Sequence, residues 1–303
     1  MLNRFATAVL AVALLAGCSA QPAPESKSTP NSVPDSHSDS HSADEAFAHI
    51  HGLSALTTAD EITVATHAGV FEVSRASESS TVRGPIGDLD IDAMGFSRTA
   101  DVIFASGHPG AETPSSFGSP NLGLITSVDD GETWTTVSLK GQADFHALTI
   151  HPSDGVTMYG LVTSSPRLQV STDGGLNWSD GAELAARDIL VDANSPSTVF
   201  ATTADGLQKS TDSGRTFSVE ADAPPLYLLT SNSADSSLVG IDTTGTVWSK
   251  GASGVWAKGG QVAGAPQAMT IAPGDSTLIV ADDRGISASS DFGLTWEKVW
   301  PAE

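Results

Sequence analysis

One short pattern constrains this 303-residue chain more than any other. It returns four times, as SVDDGETW at 127–134, STDGGLNW at 171–178, STDSGRTF at 210–217 and SSDFGLTW at 289–296. All four read Ser-x-Asp-x-Gly-x-(Thr/Asn)-(Trp/Phe), and SKGASGVW at 249–256 keeps the first Ser and the last Trp without the Asp. Successive terminal aromatics lie 44, 39, 39 and 40 residues apart. A period near 40 with strand-like flanks indicates propeller blades, each of which buries its sheet by stacking on its neighbours. The pattern itself reads as a turn. Asp129, Asp173, Asp212 and Asp291 accept from its backbone N–H groups, and Gly131, Gly175, Gly214 and Gly293 provide a positive φ. The aromatic then opens an outer strand and packs between neighbouring sheets.

Each unit divides into four strands, most clearly the last: QAMTIAP, STLIVADD, GISASSD and TWEKVW. The first unit has lost the turn pattern but divides the same way, into HIHGLSAL, EITVATH, GVFEVS and STVRGPI. Six units begin near His49, Asp90, Asp144, Arg187, Pro225 and Pro266. The expectation is an all-β, six-bladed antiparallel β-propeller over residues 46–303, whose closure buries the sheet faces and leaves only short edges.

The start of the chain reads differently. MLNRFATAVLAVALLAGCSA has one early Arg, an apolar run too short for a permanent span, and small residues before Cys18. Residues 1–17 are therefore expected to be a signal peptide. The tetrad LAGC resembles the lipobox of bacterial lipoproteins, which implies acylation of Cys18 and a lipid anchor in the membrane. Cys18 is the only cysteine, so no intramolecular disulfide can form. Residues 18–45, rich in Ser, Pro, Asp and His, cannot bury enough surface to offset chain entropy and read as a disordered tether. The domain is then expected at the cell envelope, outside the cytoplasm. A formal charge of −22 repels nucleic acid and favours cations.

The histidines carry the functional signal. In a propeller the first strand of each blade lines the central channel and the second returns beside it, so first-strand starts and second-strand ends share a mouth. Aligning HGLS, MGFS, HALT, DILV, YLLT and QAMT places His51, Met94, His146, Asp188, Tyr227 and Gln267 at equivalent positions. His49 precedes His51 by two residues and shares its strand face. His67 and His108 end the second strands of blades one and two, and Asp92 and Asp144 lie close by. Neutral imidazole is the commonest metal ligand, so His49, His51, His67, His108 and His146 form a candidate transition-metal set, with Cu or Zn the best-suited ions. Met94, Asp92, Asp144, Asp188 and Tyr227 are the candidate contacts to a small ligand. His151 falls at the far end of its strand and reads as a turn residue. The blade-two loop at 107–123 is long and rich in Gly, Pro and Ser, as binding loops and lids often are. No HExxH, CxxC, P-loop or nucleophile-elbow pattern occurs, so the sequence points to a binding site without naming a reaction.

The repeated turn resembles the Asp-box, or BNR repeat, of sialidases and many other propellers, which implies the fold and says little of activity. The segments HIHGL, VATHAGVFEVS, MGFS, ASGHPG and ADFHALTIHP are similar to a group of secreted bacterial Asp-box proteins labelled glycosyl hydrolase-like or sialidase-like. Sialidase chemistry implies three arginines, a Tyr with a Glu partner, and an Asp. Here only Tyr159 and Tyr227 exist, and Arg187 alone stands at a first-strand start. Three readings follow: a propeller binding a metal ion or small ligand, a glycan-acting hydrolase using mouth carboxylates, and a scaffold for another envelope protein.

Overall fold

Among the described residues, twenty-four strands in chain order form six four-stranded antiparallel sheets, each built from four consecutive strands. The computed structural model describes residues 46–76, 79–232 and 235–301. The expected signal peptide, Cys18 and the tether lie outside the described residues. The first strands, Ile50–Ala55, Ile91–Arg98, Phe145–Ile150, Ala186–Asp192, Leu226–Ser231 and Pro266–Ala272, each touch the next around a closed ring, and the sixth touches the first. The chain is a six-bladed, all-β propeller. Among the described residues no helix is long and apolar enough to cross a membrane.

The strand roles follow from burial. Second strands are covered on both faces and read as continuous apolar runs: Glu61–Thr66 is buried at all but its first position, and Leu238–Asp242 and Thr277–Asp282 are buried throughout. The outermost strand of blade one, Ser79–Arg83, alternates between exposed and half-buried. One apolar cluster fills each of the six seams between neighbouring blades. Side chains such as Ile62, Ile125, Phe145 and Leu168 are almost wholly buried there, each worth roughly 1.5–3 kcal/mol.

Among the described residues no strand is exchanged between the first and last blades, so the ring is closed by side-chain packing, an ion pair and hydrogen bonds. Phe47 stands edge-on to Phe71 and Trp300, with ring centroids 5.5 and 5.7 Å away. Arg75 pairs with Glu297, and the Ser80 hydroxyl donates to the Val299 carbonyl at 2.5 Å. Ile50 N–H donates to Gln267 Oε1 at 2.8 Å.

The four repeated turns share one geometry. In each, the Ser hydroxyl donates to the Asp Oδ1 and accepts the Gly N–H four residues on, as in Ser171 to Asp173 at 2.9 Å and Gly175 to Ser171 at 2.9 Å. The Asp then accepts the backbone N–H of the Thr or Asn on Oδ1 and its side chain on Oδ2, at 2.9 and 2.8 Å for Asn177. Gly175 has φ 81°, and a Cβ there would collide with Leu124. The residue after each Asp, a free position in the pattern, is left-handed as well: Asp130, Gly174, Ser213 and Phe292. The Trp side chains reach the preceding blade or its exit, Trp134 Nε1 donating to Ile86 O at 3.3 Å and Trp296 Nε1 to Gln261 O at 2.9 Å.

Candidate functional site

In every blade one residue near the start of the first strand steps out of the β-ladder. These residues are His51, Met94, His146, Arg187, Tyr227 and Gln267. Such a bulge re-aims a side chain without ending the pairing. Five of the six match the sequence alignment. Blade four does not: its unpaired residue is Arg187, and Asp188 resumes the ladder opposite Thr202. Aligning DILV on its apolar residues therefore misplaces blade four by one position. His51, Met94, His146, Arg187 and Gln267 line one cavity of about 270 Å³ at the channel.

Two triads of side chains meet at the same mouth. The first spans blades one and two: Asp92 Oδ1 lies 2.7 Å from His67 Nδ1 and 3.4 Å from His51 Nε2. The His49 ring is 5.0 Å from that of His67, centroid to centroid. The second spans blades two and three: Asp144 Oδ2 lies 2.6 Å from His146 Nε2 and 3.2 Å from His108 Nε2. The two are linked because Asp92 and His108 face each other across the blade-two ladder. They are also copies of one design, in which a carboxylate two residues before a bulge meets the second-strand end of the preceding blade. In the second triad Met94 occupies the ring position that His51 holds in the first.

In both triads one carboxylate oxygen faces two ring nitrogens. Asp144 Oδ1 is buried without a hydrogen-bond partner, His51 Nε2 and Asp92 Oδ1 are buried with only each other and His67 Nδ1 in reach, and Asp144 is only 2% exposed. Buried polar atoms without partners are costly. His108 sharpens the case. Its Nδ1 lies 3.1 Å from the Pro120 carbonyl, which can only accept, so Nδ1 carries the hydrogen. The neutral ring then presents a bare Nε2 to a carboxylate, which requires a proton or a cation between them. Pro120 belongs to the blade-two loop, which is thereby packed against the site and orients the His108 ring.

The hydrogen bond to Asp144 raises His146 above the ordinary imidazole range against the opposing effect of burial, and the charges of Asp144 and Asp92 add to the rise. Burial pushes Asp92 up, but contact with His51 and the charge of His67 outweigh it and hold Asp92 below the ordinary carboxylate value. Asp188 is pushed up to about 6 by burial, although the Leu229 and Ile189 N–H groups both donate to it at 2.9 Å. Tyr227 accepts from Arg187 Nε at 2.9 Å. His151 is buried at the far end of its strand, where its Nδ1 accepts the Asp154 N–H at 3.1 Å. The mouth thus gathers the five expected histidines with Asp92, Asp144 and Met94. Sequence reasoning did not assign Arg187 and the Pro120 carbonyl to the site. Arg187 was hidden by the register shift, and a carbonyl leaves no sequence signal.

No family model matches the chain, and no curated protein matches it in sequence. Solved structures match it in fold. A GH74 enzyme of Niastella koreensis is 16% identical with a TM-score of 0.59, over 83% of this chain and 45% of that one. The GH74 xyloglucanase from Xanthomonas campestris is 16% identical with a TM-score of 0.53, over 82% and 45% of the two chains. A chain of a nidogen/laminin complex is 14% identical with a TM-score of 0.56, over 77% and 89%. The chain spans less than half the length of the two GH74 enzymes. At these identities the likeness is one of fold, and what the chain shares with these proteins is its β-propeller architecture.

Proposed function

We propose that the protein is a lipid-anchored, cell-envelope β-propeller that binds transition-metal ions at one mouth of its channel, one ion in each triad. The observation that carries this reading is the repeated placement of two imidazole nitrogens on one buried carboxylate oxygen. A divalent ion at each point would meet His51 Nε2 and Asp92 Oδ1 in the first triad, and Asp144 Oδ2 with the bare nitrogen of His108 in the second. Two histidines and a carboxylate suit Zn or another borderline ion, and they leave a coordination position open. Met94 near the second triad, if it joined the set, would shift that site toward Cu.

A glycan-acting reading draws on the GH74 neighbours' fold and on mouth carboxylates. Glycosidases use a pair of carboxyl groups free to act as acid and base or nucleophile. Here Asp92 and Asp144 are each held by two imidazoles, Asp188 by two backbone N–H groups, and Asp90 by the Glu112 N–H at 3.3 Å. These carboxylates are already engaged by imidazoles or by backbone N–H groups, which supports the metal reading over a free acid–base pair.

The test is elemental analysis of the purified domain after exposure to Zn or Cu and removal of excess ion. Two ions per chain are expected, with a rise in melting temperature that EDTA reverses. A stable protein that takes up no Cu, Zn, Ni or Fe at neutral pH overturns the reading. The anchor is tested separately, since Cys18→Ala is expected to release the protein from the membrane fraction.

A further inference from the structure

The half of the mouth opposite the triads is built around a guanidinium. Arg187 occupies the bulge position of blade four, next in the ring to His146. Its Nε donates to Tyr227 Oη at 2.9 Å, its Cζ stands 5.0 Å from the centre of the Tyr227 ring, and Nη2 makes a long contact of 3.5 Å to Gln267 O. Gln267 is fixed in turn, because its Oε1 accepts the Ile50 N–H. Among the described residues no carboxylate lies within ion-pair distance of Arg187, and its Nη1 has no hydrogen-bond partner. The adjacent Asp188 is turned to the Ile189 and Leu229 N–H groups instead. A guanidinium held on two sides, with its remaining N–H groups free, is prepared for bidentate recognition of an oxyanion.

What it would hold follows from what shares its cavity. Arg187, His51, Met94 and His146 line the same space of about 270 Å³. An ion on two histidines and a carboxylate keeps a coordination position for an outside ligand. A net charge of −22 makes the chain as a whole repel anions, so any anion site has to be made locally. Bound divalent ions would invert the local sign beside Arg187. We propose that the mouth binds a small oxyanion, a phosphate or carboxylate group, with one oxygen on the metal ion and others on Arg187. This rests on the metal reading. Tyr227 and Gln267 are positioning residues that keep the guanidinium in place.

The experiment titrates inorganic phosphate, and separately acetate, into Zn-loaded protein freed of excess ion, with heat of binding as the readout and zinc content measured in parallel. Loaded protein is expected to bind one of the two at least about tenfold more tightly than metal-free protein. Arg187→Gln should keep its zinc and lose roughly 10- to 100-fold in anion affinity, the range for a hydrogen-bonded charge. Tyr227→Phe should also keep its zinc and weaken the anion less. Arg215→Gln, at a turn on the opposite face, should change neither. Preference for phosphate or for acetate identifies the group recognised, and either supports the proposal. Zinc uptake without binding of either anion overturns the proposal and leaves the metal reading intact. Undiminished anion affinity in Arg187→Gln overturns it as well. Failure to take up zinc overturns both.

Discussion

The two faces of this propeller are built from the same six blades and follow opposite rules. On one face four turns are chemical copies. Each uses the same Ser, Asp and Gly, and the Thr or Asn N–H to Asp Oδ1 distance is 2.9 Å in all four. On the other face the backbone repeats and the side chains do not: one bulge per blade presents His, Met, His, Arg, Tyr and Gln in turn. The turn carboxylates are saturated with donors, whereas at the mouth Asp144 keeps a buried oxygen without a partner and Asp92 meets only imidazole nitrogens. Uniform side chains mark the face that holds blades in shape, and varied side chains on a uniform backbone mark the face that can be specialised. Local backbone and chemistry agree on the first face and conflict on the second, as expected where function outweighs stability.

The largest effect that could break this contrast is loss of metal. His51→Ala combined with His146→Ala removes one ligand from each triad, and stoichiometric metal should disappear from elemental analysis. Because both side chains are partly exposed, the metal-free melting temperature should change little. Retained metal would show that the triads are not the sites. His151→Asn, at the far end of the channel strand, should leave metal content unchanged.

The sequence showed the turn face more fully than the mouth. A period near 40 with fixed Ser, Asp and Gly positions fixes blade number, and the expected starts near His49, Asp90, Asp144, Arg187, Pro225 and Pro266 fall within a residue of the observed strands. Strand direction alone brings the five histidines to one mouth. What stayed hidden depends on single-residue register. Apolar alignment set Asp188 against His51, while the bulge comes one residue earlier, at Arg187. The division of the histidines into two triads was equally hidden, because it depends on Asp92 and Asp144 reaching across a seam to the preceding blade.

Acidic groups on the two faces are shifted in opposite directions, which gives a second contrast. Asp188, beside the mouth, has its pKa raised to about 6 by burial. Between about pH 4 and 6 the folded chain therefore keeps a proton that the unfolded chain has lost, and stability falls as pH rises through that window. The total is at most about 3 kcal/mol. Asp188→Asn should flatten this part of the stability curve, as read by denaturant unfolding at a series of pH values. An unchanged slope would show that Asp188 titrates normally.

On the turn face, Ser171→Ala should cost about 1–3 kcal/mol, because it leaves the buried Gly175 N–H without its acceptor. The substituted turn faces away from the mouth, so metal uptake should be unaffected. A variant of unchanged stability that had lost metal would place the turns at the site and dissolve the contrast.

The smallest effect belongs to the turn carboxylates. Asp212 and Asp291 are lowered to about 2, first by the Thr216 and Thr295 hydroxyls and then by the backbone N–H groups of the same residues. Depressed folded values stabilise the native state above the ordinary carboxylate range, and that contribution is lost as pH falls from about 4 through 2. The groups are solvent-exposed, so screening keeps each contribution small. Asp212→Asn removes one of the titrating turns while retaining an oxygen acceptor. Its melting temperature should fall less steeply than wild type between pH 4 and 2, with the limb between pH 4 and 6 unaltered. An acid limb identical to that of wild type would mean that carboxylates elsewhere, the mouth triads included, govern acid unfolding.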